Sequence, residues 1–238
     1  MRVPIALAVA AAVLAGCSPS AGTPAVAGPD VPGPDEGFGI SPDLEPTVTD
    51  PSYPLVAFYG DSYTLGTGAS AKENRWSSII CADRGWNEFN PSVNGLGFVN
   101  NRTPSVDEPA QILALDPAPD IVFVTMGLND NFSYDYAADD IHAAIDADLQ
   151  NLTTQLPQAR FIVVEPFWYT DARPDSLTTI IGWVHDAADD IGADWVPDAS
   201  HWIEHHPEWM ASDGLHPNDA GYAEMARQMD AALTRLGL

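Results

Sequence analysis

The sequence predicts an α/β domain in which helices cover both faces of a central, mostly parallel sheet of five strands. From about residue 55 onward, short continuous apolar runs alternate with longer stretches of helical periodicity. This alternation is typical of parallel strands that are buried on both faces. Hydrophobic residues make up 45% of the 238 residues and include 7 Trp. A large core can therefore form, and a wholly disordered chain is excluded.

Five apolar runs are short enough to be strands, and the sequences between them suit helices. We expect strands at residues 55–59, 86–89, 121–126 and 161–165, with a short fifth at 194–196. We expect helices at residues 75–83, 109–115, 134–156, 176–191 and 218–236. The helix over 134–156 has the clearest pattern, because its apolar residues recur every three or four positions and so form one face. They are Ile141, Ile145, Leu149, Leu152 and Leu156.

The charge balance narrows the possible partners. The 34 Asp and Glu residues outnumber the 9 Lys and Arg, which gives a net charge of −25. Lys72 is the single lysine, and the sequence contains no basic cluster. Nucleic-acid binding is therefore excluded, because it requires cations that face the phosphates. The acidic excess indicates a solvated surface, and we expect a monomer.

The first 16 residues have the pattern of a secretory signal. Arg2 precedes an apolar run over residues 3–13, which is shorter than the roughly 20 residues of a membrane-spanning helix. Residues 14–17, Leu-Ala-Gly-Cys, resemble a bacterial lipobox, and this resemblance implies that Cys17 carries a lipid and begins the mature chain. We therefore expect an extracytoplasmic, lipid-anchored protein of the bacterial cell envelope. If the lipobox is not used, the protein would be secreted.

Residues 17–53 are predicted to be a tether. They are rich in Pro, Gly, Ala and acidic residues, lack periodicity and cannot bury a core. The expected organisation is a signal at 1–16, a tether at 17–53 and one folded domain at 54–238. Once the signal is removed and Cys17 is lipidated, Cys81 is the remaining thiol. We expect Cys81 to be a buried, small apolar residue, because apolar residues surround it.

Polar motifs lie where the predicted strands end, which is where open α/β sheets place their active sites. Gly60-Asp61-Ser62 follows the first strand. A serine on such a turn is the position of a hydrolase nucleophile, although Thr64 replaces the second glycine of the nucleophile-elbow pattern. After the third strand, Asn129 lies in a Gly-Leu-Asn-Asp sequence. An Asn amide can donate a hydrogen bond to a developing oxyanion. Plain turns are the alternative interpretation of both motifs.

The sequence Asp-Gly-Leu-His-Pro, from Asp213 to Pro217, stands before the last predicted helix. An Asp three residues ahead of a His can hold one imidazole nitrogen and leave the other to act as a general base. The alternative interpretation is that this motif only caps the last helix and that His216 lies at the surface.

Taken in order, these motifs resemble the SGNH, or GDSL, hydrolase family, and the resemblance extends from about residue 56 to residue 222. It implies a flavodoxin-like three-layer α/β/α sandwich and a serine esterase that needs no metal or organic cofactor. In that family pattern Ser62 matches the nucleophile, His216 the base and Asp213 the carboxylate that orients the base.

The resemblance also implies an oxyanion hole. Two of its donors would be the backbone N–H of Ser62 and the side chain of Asn129. The family's third donor is a glycine N–H about five residues after an Asn that ends the second strand. The glycine five residues after Asn90 is Gly95, which is therefore the expected donor, and Gly97 is the second candidate. The expected substrates are short acyl esters of a glycan or a small molecule.

Three other functions fit parts of the sequence. An O-acyltransferase would use the same triad, and a surface lipoprotein could retain the fold only to bind glycans. His201 to His205 read His-Trp-Ile-Glu-His, which matches the zinc-enzyme pattern H-x-x-E-H. A zinc site also needs a third ligand and a helix that presents both histidines. Pro207 limits that helix, so we expect no metal site.

Overall fold

A computed structural model describes residues 39–238. The predicted signal, Cys17 and the tether up to residue 38 lie outside the described residues. The described part contains a sheet with the strand order β2-β1-β3-β4-β5, and all neighbouring strands pair in parallel. The strands are β1 (Leu55–Tyr59), β2 (Asn87–Phe89), β3 (Ile121–Val124), β4 (Arg160–Val164) and β5 (Asp194–Val196). The predicted α/β fold with five strands is therefore confirmed.

Six helices accompany the sheet within residues 39–238. They are α1 (Ser62–Leu65), α2 (Trp76–Arg84), α3 (Glu108–Leu113), α4 (Tyr134–Gln155), α5 (Asp175–Ile191) and α6 (Asp219–Arg235). Each predicted helix is present with its ends within two residues of the expected positions. Helix α1 escapes prediction because a single turn is too short to show periodicity. Between residues 39 and 238, no helix is long and apolar enough to cross a membrane.

The sheet separates two apolar cores, because successive strand residues point to opposite faces. Val56 and Phe58 of β1 belong to the core that includes residues of α2 and α6. Ala57 and Tyr59 belong to the core on the other face, with residues of α3, α4 and α5. Cys81 of α2 is buried, as expected, and burial raises the pKa of its thiol. The domain that contains the sheet is therefore a three-layer sandwich, with the sheet in the middle.

The strand order sets the position of the site. Strand β1 is hydrogen-bonded to β2 on one side and to β3 on the other. Because these strands are parallel, the loops that follow all three emerge at one edge of the sheet. Ser62, Gly95 and Asn129 each lie in a segment that follows one of these strands.

The segment just before the expected domain boundary at residue 54 packs against the sheet. Residues 43–53 lie in the predicted tether, yet this segment is bonded to β2. The Thr47 N–H donates to the Glu88 carbonyl over 2.7 Å, and the Asn87 side chain bonds Thr49 N and Tyr53 O over 2.8 and 3.0 Å. Composition does not reveal such pairing, because it depends on backbone hydrogen bonds and on one buried Asn. The folded part therefore begins before residue 54.

Candidate active site

Ser62 is the first residue of α1 and follows β1 after a two-residue turn. The turn requires glycine at position 60, because a Cβ there would lie 2.5 Å from Thr125 Oγ1. Asp61 caps the helix by accepting a hydrogen bond of 2.9 Å from the Tyr63 N–H. Ser62 is buried with 3% of its surface exposed. The strand, turn and cap thus hold this serine at the carboxyl end of β1.

His216 and Asp213 form a hydrogen-bonded pair in the loop before α6. The distance between His216 Nδ1 and Asp213 Oδ2 is 2.7 Å. Asp213 Oδ1 also accepts the N–H groups of Leu215 and His216, over 2.9 and 3.0 Å, which fixes the carboxylate in its loop. Because Asp213 engages Nδ1, the nitrogen that can accept a proton is Nε2.

The environment of His216 favours a neutral imidazole. Burial lowers the pKa of His216 below its ordinary value of 6.5, and the hydrogen bond to Asp213 opposes this shift only in part. For Asp213, burial alone would raise the carboxyl pKa, but hydrogen bonds from the His216 backbone and side chain lower it below 3.8. At neutral pH the pair is therefore a neutral imidazole beside a carboxylate, as a general base requires.

Tyrosine side chains join the serine turn to the histidine loop. The Tyr63 hydroxyl donates to the Leu215 carbonyl over 2.7 Å, and the Tyr63 ring centroid lies 6.1 Å from that of His216. The Tyr222 hydroxyl of α6 bonds the carbonyls of Ser62 and Thr67, over 3.4 and 2.7 Å. Residues that are more than 150 positions apart in the sequence are thereby brought into one site.

Asn129 lies between the serine turn and the glycine loop. Its Nδ2 atom donates to Asp61 Oδ2 over 3.2 Å and to the Leu96 carbonyl over 2.9 Å. Asp61 directly precedes Ser62, and Leu96 directly follows Gly95. The Asn129 side chain is therefore bonded to the residues that adjoin Ser62 and Gly95 in the sequence.

The two candidate glycines have different environments. The Gly97 N–H donates to the Asn100 carbonyl over 2.9 Å, and a Cβ at Gly97 would lie 2.5 Å from the Asp130 carboxylate. Gly95 has a φ of +70°, and its carbonyl accepts hydrogen bonds from the Asn100 and Asn101 side chains over 2.8 and 3.0 Å. Within residues 39–238, no acceptor is hydrogen-bonded to the Gly95 N–H. Gly95 is therefore the better placed donor, and Gly97 makes room for Asp130.

Buried carboxyl groups accept hydrogen bonds from the backbone of these loops and so hold them in place. The sequence motifs predict no role for these groups. Glu108 accepts the N–H groups of Gly60 and Val93 over 2.8 and 3.1 Å, and so ties the serine turn to the glycine loop. Asp130 accepts the Phe98 N–H over 2.8 Å. Burial raises the pKa of Asp61 to about 7 and that of Glu108 well above its usual range. Asp130 lies beside the Asn129 motif, but nothing in the sequence singles out Glu108.

A cavity of about 450 Å³ opens next to the histidine loop. Its lining combines polar residues and the Tyr169 ring with aliphatic side chains, and it includes Asp171, His205, Ile203 and Met210. A cavity of about 670 Å³ lies at the opposite end of the sheet, where β1 and β2 begin, and therefore does not adjoin the site. The smaller cavity borders the loop that carries Asp213 and His216, because Ser212 and Gly214 line it.

The H-x-x-E-H segment lacks the helix that a zinc enzyme requires. His201 ends a single turn of 3₁₀ helix over Ala199–His201. Its Nδ1 pairs with Glu204 over 3.0 Å, whereas His205 Nδ1 pairs with Asp171 over 2.7 Å. In the described part of the chain, no three His, Cys, Asp or Glu side chains form a group that could hold a metal ion.

Several known proteins are similar to this chain in sequence or in fold. Residues 58–224 match the model of the GDSL-like Lipase/Acylhydrolase family. A GDSL lipase of Mycobacterium tuberculosis is 30% identical over 198 residues, which cover 79% of this chain and 85% of the relative.

Two solved structures share the fold. A psychrotrophic esterase from a Pseudoalteromonas species has a TM-score of 0.60 and 15% identity, covering 76% of this chain and 97% of its own. An acetylxylan esterase from Geobacillus stearothermophilus has a TM-score of 0.56 and 19% identity, covering 75% and 93%. Together with the family match over residues 58–224, the sequence relative shows that the chain belongs to the GDSL-like lipase/acylhydrolase family, the carboxylic ester hydrolases of the SGNH type.

Proposed function

We propose that the protein hydrolyses carboxylic esters through an acyl-enzyme on Ser62, with His216 as the base and Asp213 as the residue that orients it. One observation carries this proposal. A buried His is held at Nδ1 by a carboxylate 2.7 Å away, in a loop that is hydrogen-bonded to the helix of a buried strand-end serine. Such an arrangement is that of a serine nucleophile and its base.

The reaction follows from these positions. His216 Nε2 takes the proton from Ser62 Oγ as Oγ attacks the ester carbonyl carbon. The C–O bond to the alcohol then breaks, and His216 returns the proton to the departing alkoxide. A water molecule that gives its proton to His216 attacks the acyl group on Ser62. The bond between the acyl carbon and Ser62 Oγ then breaks, and His216 returns its proton to Oγ, which releases the carboxylic acid and restores the serine hydroxyl.

The negative oxygen of each tetrahedral intermediate would lie between the N–H groups of Ser62 and Gly95 and the Asn129 amide. One Asn129 hydrogen stays on the Leu96 carbonyl at 2.9 Å and holds the side chain in place. The other is directed at Asp61 over the longer distance of 3.2 Å and is the one that turns to the oxyanion. Preorganised donors of this kind stabilise charge that develops in the transition state.

The cavity beside the histidine loop favours a polar alcohol as the leaving group. His205 and Asp171 line it together with the Tyr169 ring, and side chains of these types bind sugars through hydrogen bonds and stacking. The acetylxylan esterase among the structural neighbours is named for an acetylated glycan. We therefore propose short acyl esters of a glycan, or of a small polyhydroxyl compound, as the substrates.

Initial rates on p-nitrophenyl esters from acetate to decanoate test the hydrolase proposal. We expect turnover that is highest for the shortest acyl chains, and we expect an acetylated sugar to be deacetylated by the same preparation. If the folded protein released no p-nitrophenol from any ester, the proposed activity would be wrong. A maximum at decanoate would contradict the proposal of short acyl substrates.

The pH dependence of kcat/KM tests the role of His216. Only the neutral imidazole can accept the serine proton, so activity should fall as the pH drops through the pKa of His216. Because burial lowers that pKa, the midpoint should lie below 6.5. In a profile from about pH 5 to about pH 9, kcat/KM should rise with a slope of one around this midpoint. The same rise should be seen in Asp61→Asn, which removes a carboxyl whose pKa burial raises to about 7. A midpoint above 7 would contradict the assignment.

We also propose that the chain acts on the outer side of a bacterial membrane, held there by a lipid on Cys17. The support is the sequence of residues 1–17, with its charged start, apolar run and lipobox-like end. Expression of the full chain in a bacterial host with a labelled fatty acid tests this. Label should enter the protein and be absent from Cys17→Ser, whereas equal labelling of the two would disprove the anchor site.

A further inference from the structure

The helix that carries Ser62 is too short to support itself. Helix α1 has four residues, and a single turn is not stable by its own hydrogen bonds. Its last carbonyl groups find donors from other parts of the chain, as helix ends require. Trp76 Nε1 bonds the Tyr63 carbonyl over 3.1 Å, Asn90 Nδ2 bonds that of Thr64 over 2.7 Å, and Arg75 Nη1 bonds that of Leu65 over 3.2 Å.

Two of these three donors belong to residues that Asp43 contacts. Asp43 Oδ2 accepts hydrogen bonds from Arg75 Nη2 and from the Asn90 N–H, both over 3.2 Å. The Asp43 N–H donates to the Asn90 carbonyl over 2.9 Å. Asp43 thus contacts both Arg75 and Asn90, whose side chains donate hydrogen bonds to carbonyl groups of α1.

The electrostatics make the link to Arg75 costly to break. Arg75 is completely buried and Asp43 is 6% exposed. Arg75 has one further acidic partner, Glu88 Oε1 at 3.2 Å. A buried cation that loses a partner must shift or attract another charge. Because Arg75 also holds the Leu65 carbonyl, a shift of its guanidinium would move α1 and with it Ser62.

Asp43 lies ahead of the region that matches the family, which begins at residue 58. It belongs to the segment that composition assigns to a tether, whereas the structure packs that segment on β2.

We propose that Asp43 is a positioning residue for the nucleophile. Acting through Arg75 and Asn90, it sets the place of α1, and therefore that of Ser62 Oγ and the Ser62 N–H. This inference rests on the proposed role of Ser62. Its consequence is that the segment before residue 54 is part of the catalytic unit, so that removing it impairs the chemistry as well as the solubility or anchoring of the protein.

The test is Asp43→Asn in the full chain, compared with Asp50→Asn as the matched control. Asp50 is in the same segment, and its carboxylate accepts the N–H and the hydroxyl of its neighbour Ser52. Active sites are counted by the burst of p-nitrophenol from a p-nitrophenyl alkylphosphonate, so that unfolded protein does not enter kcat. Rates are then measured on p-nitrophenyl acetate.

We expect kcat per titrated site to fall about tenfold in Asp43→Asn, because small misplacements of a nucleophile have large effects on rate. KM should stay within about twofold of the wild-type value, and Asp50→Asn should match the wild type. A residue with only a structural role would lower the thermal midpoint but leave kcat per site unchanged, and that result would overturn the proposal.

Two further variants, Arg75→Lys and Ser62→Ala, separate the possible results of this test. If Asp43→Asn does not fold, Arg75→Lys is measured in the same way. A lysine keeps the charge but lacks the planar fork with which Arg75 bonds the Leu65 carbonyl through Nη1 and Asp43 through Nη2. The kcat per site should therefore again fall, and a wild-type value would overturn the proposal. Ser62→Ala tests the proposed function itself. If Ser62→Ala were active, the proposed function would fail, whereas an inactive Ser62→Ala beside a fully active Asp43→Asn would disprove the positioning role alone.

Discussion

Ser62→Ala is expected to lower kcat/KM for p-nitrophenyl acetate by about 10⁴-fold to 10⁶-fold, the range found when a serine triad loses its nucleophile. Without Oγ no acyl-enzyme can form, and the oxyanion donors have no tetrahedral intermediate to stabilise. The fold should survive, because the bonds from Trp76, Asn90 and Arg75 that hold α1 end on its backbone carbonyls and do not use this hydroxyl group. Steady-state rates and thermal unfolding of the purified variant check both statements.

His216→Ala should have an effect of similar size, and the double variant should be little worse than either single one, since the two residues act as a unit. Ser105→Ala provides the control, because Ser105 is an exposed serine bonded to Thr103. If Ser62→Ala kept more than about a tenth of the wild-type rate while Ser105→Ala behaved normally, another residue would be the nucleophile.

Asn129→Ala is expected to lower kcat by about 10²-fold to 10³-fold, the usual cost of losing one oxyanion donor. KM should change little, because the negative oxygen exists in the transition state and not in the bound ester. Stopped assays with p-nitrophenyl acetate, run with active-site counting, separate the two constants.

The neighbouring Asn131→Ala is the matched control for this prediction. Asn131 lies in the same 3₁₀ turn, and its side chain accepts a hydrogen bond of 2.6 Å from the Ser176 hydroxyl, away from Asp61 and Leu96. Its kcat should remain close to the wild-type value. Equal losses in the two variants would mean that the turn, and not the Asn129 amide, sets the rate.

The fold could be predicted from the sequence because the strands are buried on both faces. Residues 55–59 and 121–124 are continuous apolar runs, and in a chain with regular helices between them such short runs are typical of buried parallel strands. The helix ends differ from the expected positions by one or two residues, as is usual when caps decide them. Helix α1 was missed, since a four-residue helix held by outside donors has no pattern of its own.

The site could be predicted in part. Ser62, Asn129, Asp213 and His216 stand in short motifs whose spacing has a chemical reason. The structure brings these four residues to one edge of the sheet.

The supporting residues could not be found in this way. Asp43 and Glu108 make buried hydrogen bonds to segments that lie elsewhere in the sequence. Asp43 also stands in a stretch rich in Pro and acidic residues, where one more carboxylate carries no signal. Only the pairing of residues 43–47 with β2 shows that this particular Asp is buried.

The central claim is that His216 activates Ser62 as a nucleophile, and covalent labelling tests it most directly. A p-nitrophenyl alkylphosphonate would react with Ser62 Oγ at phosphorus, expel p-nitrophenolate and leave a stable adduct. Intact mass and peptide mapping should show one phosphonyl group per chain, on Ser62, and much slower labelling in His216→Ala. An adduct on another residue, or full esterase activity in a protein that the reagent does not label, would contradict the claim.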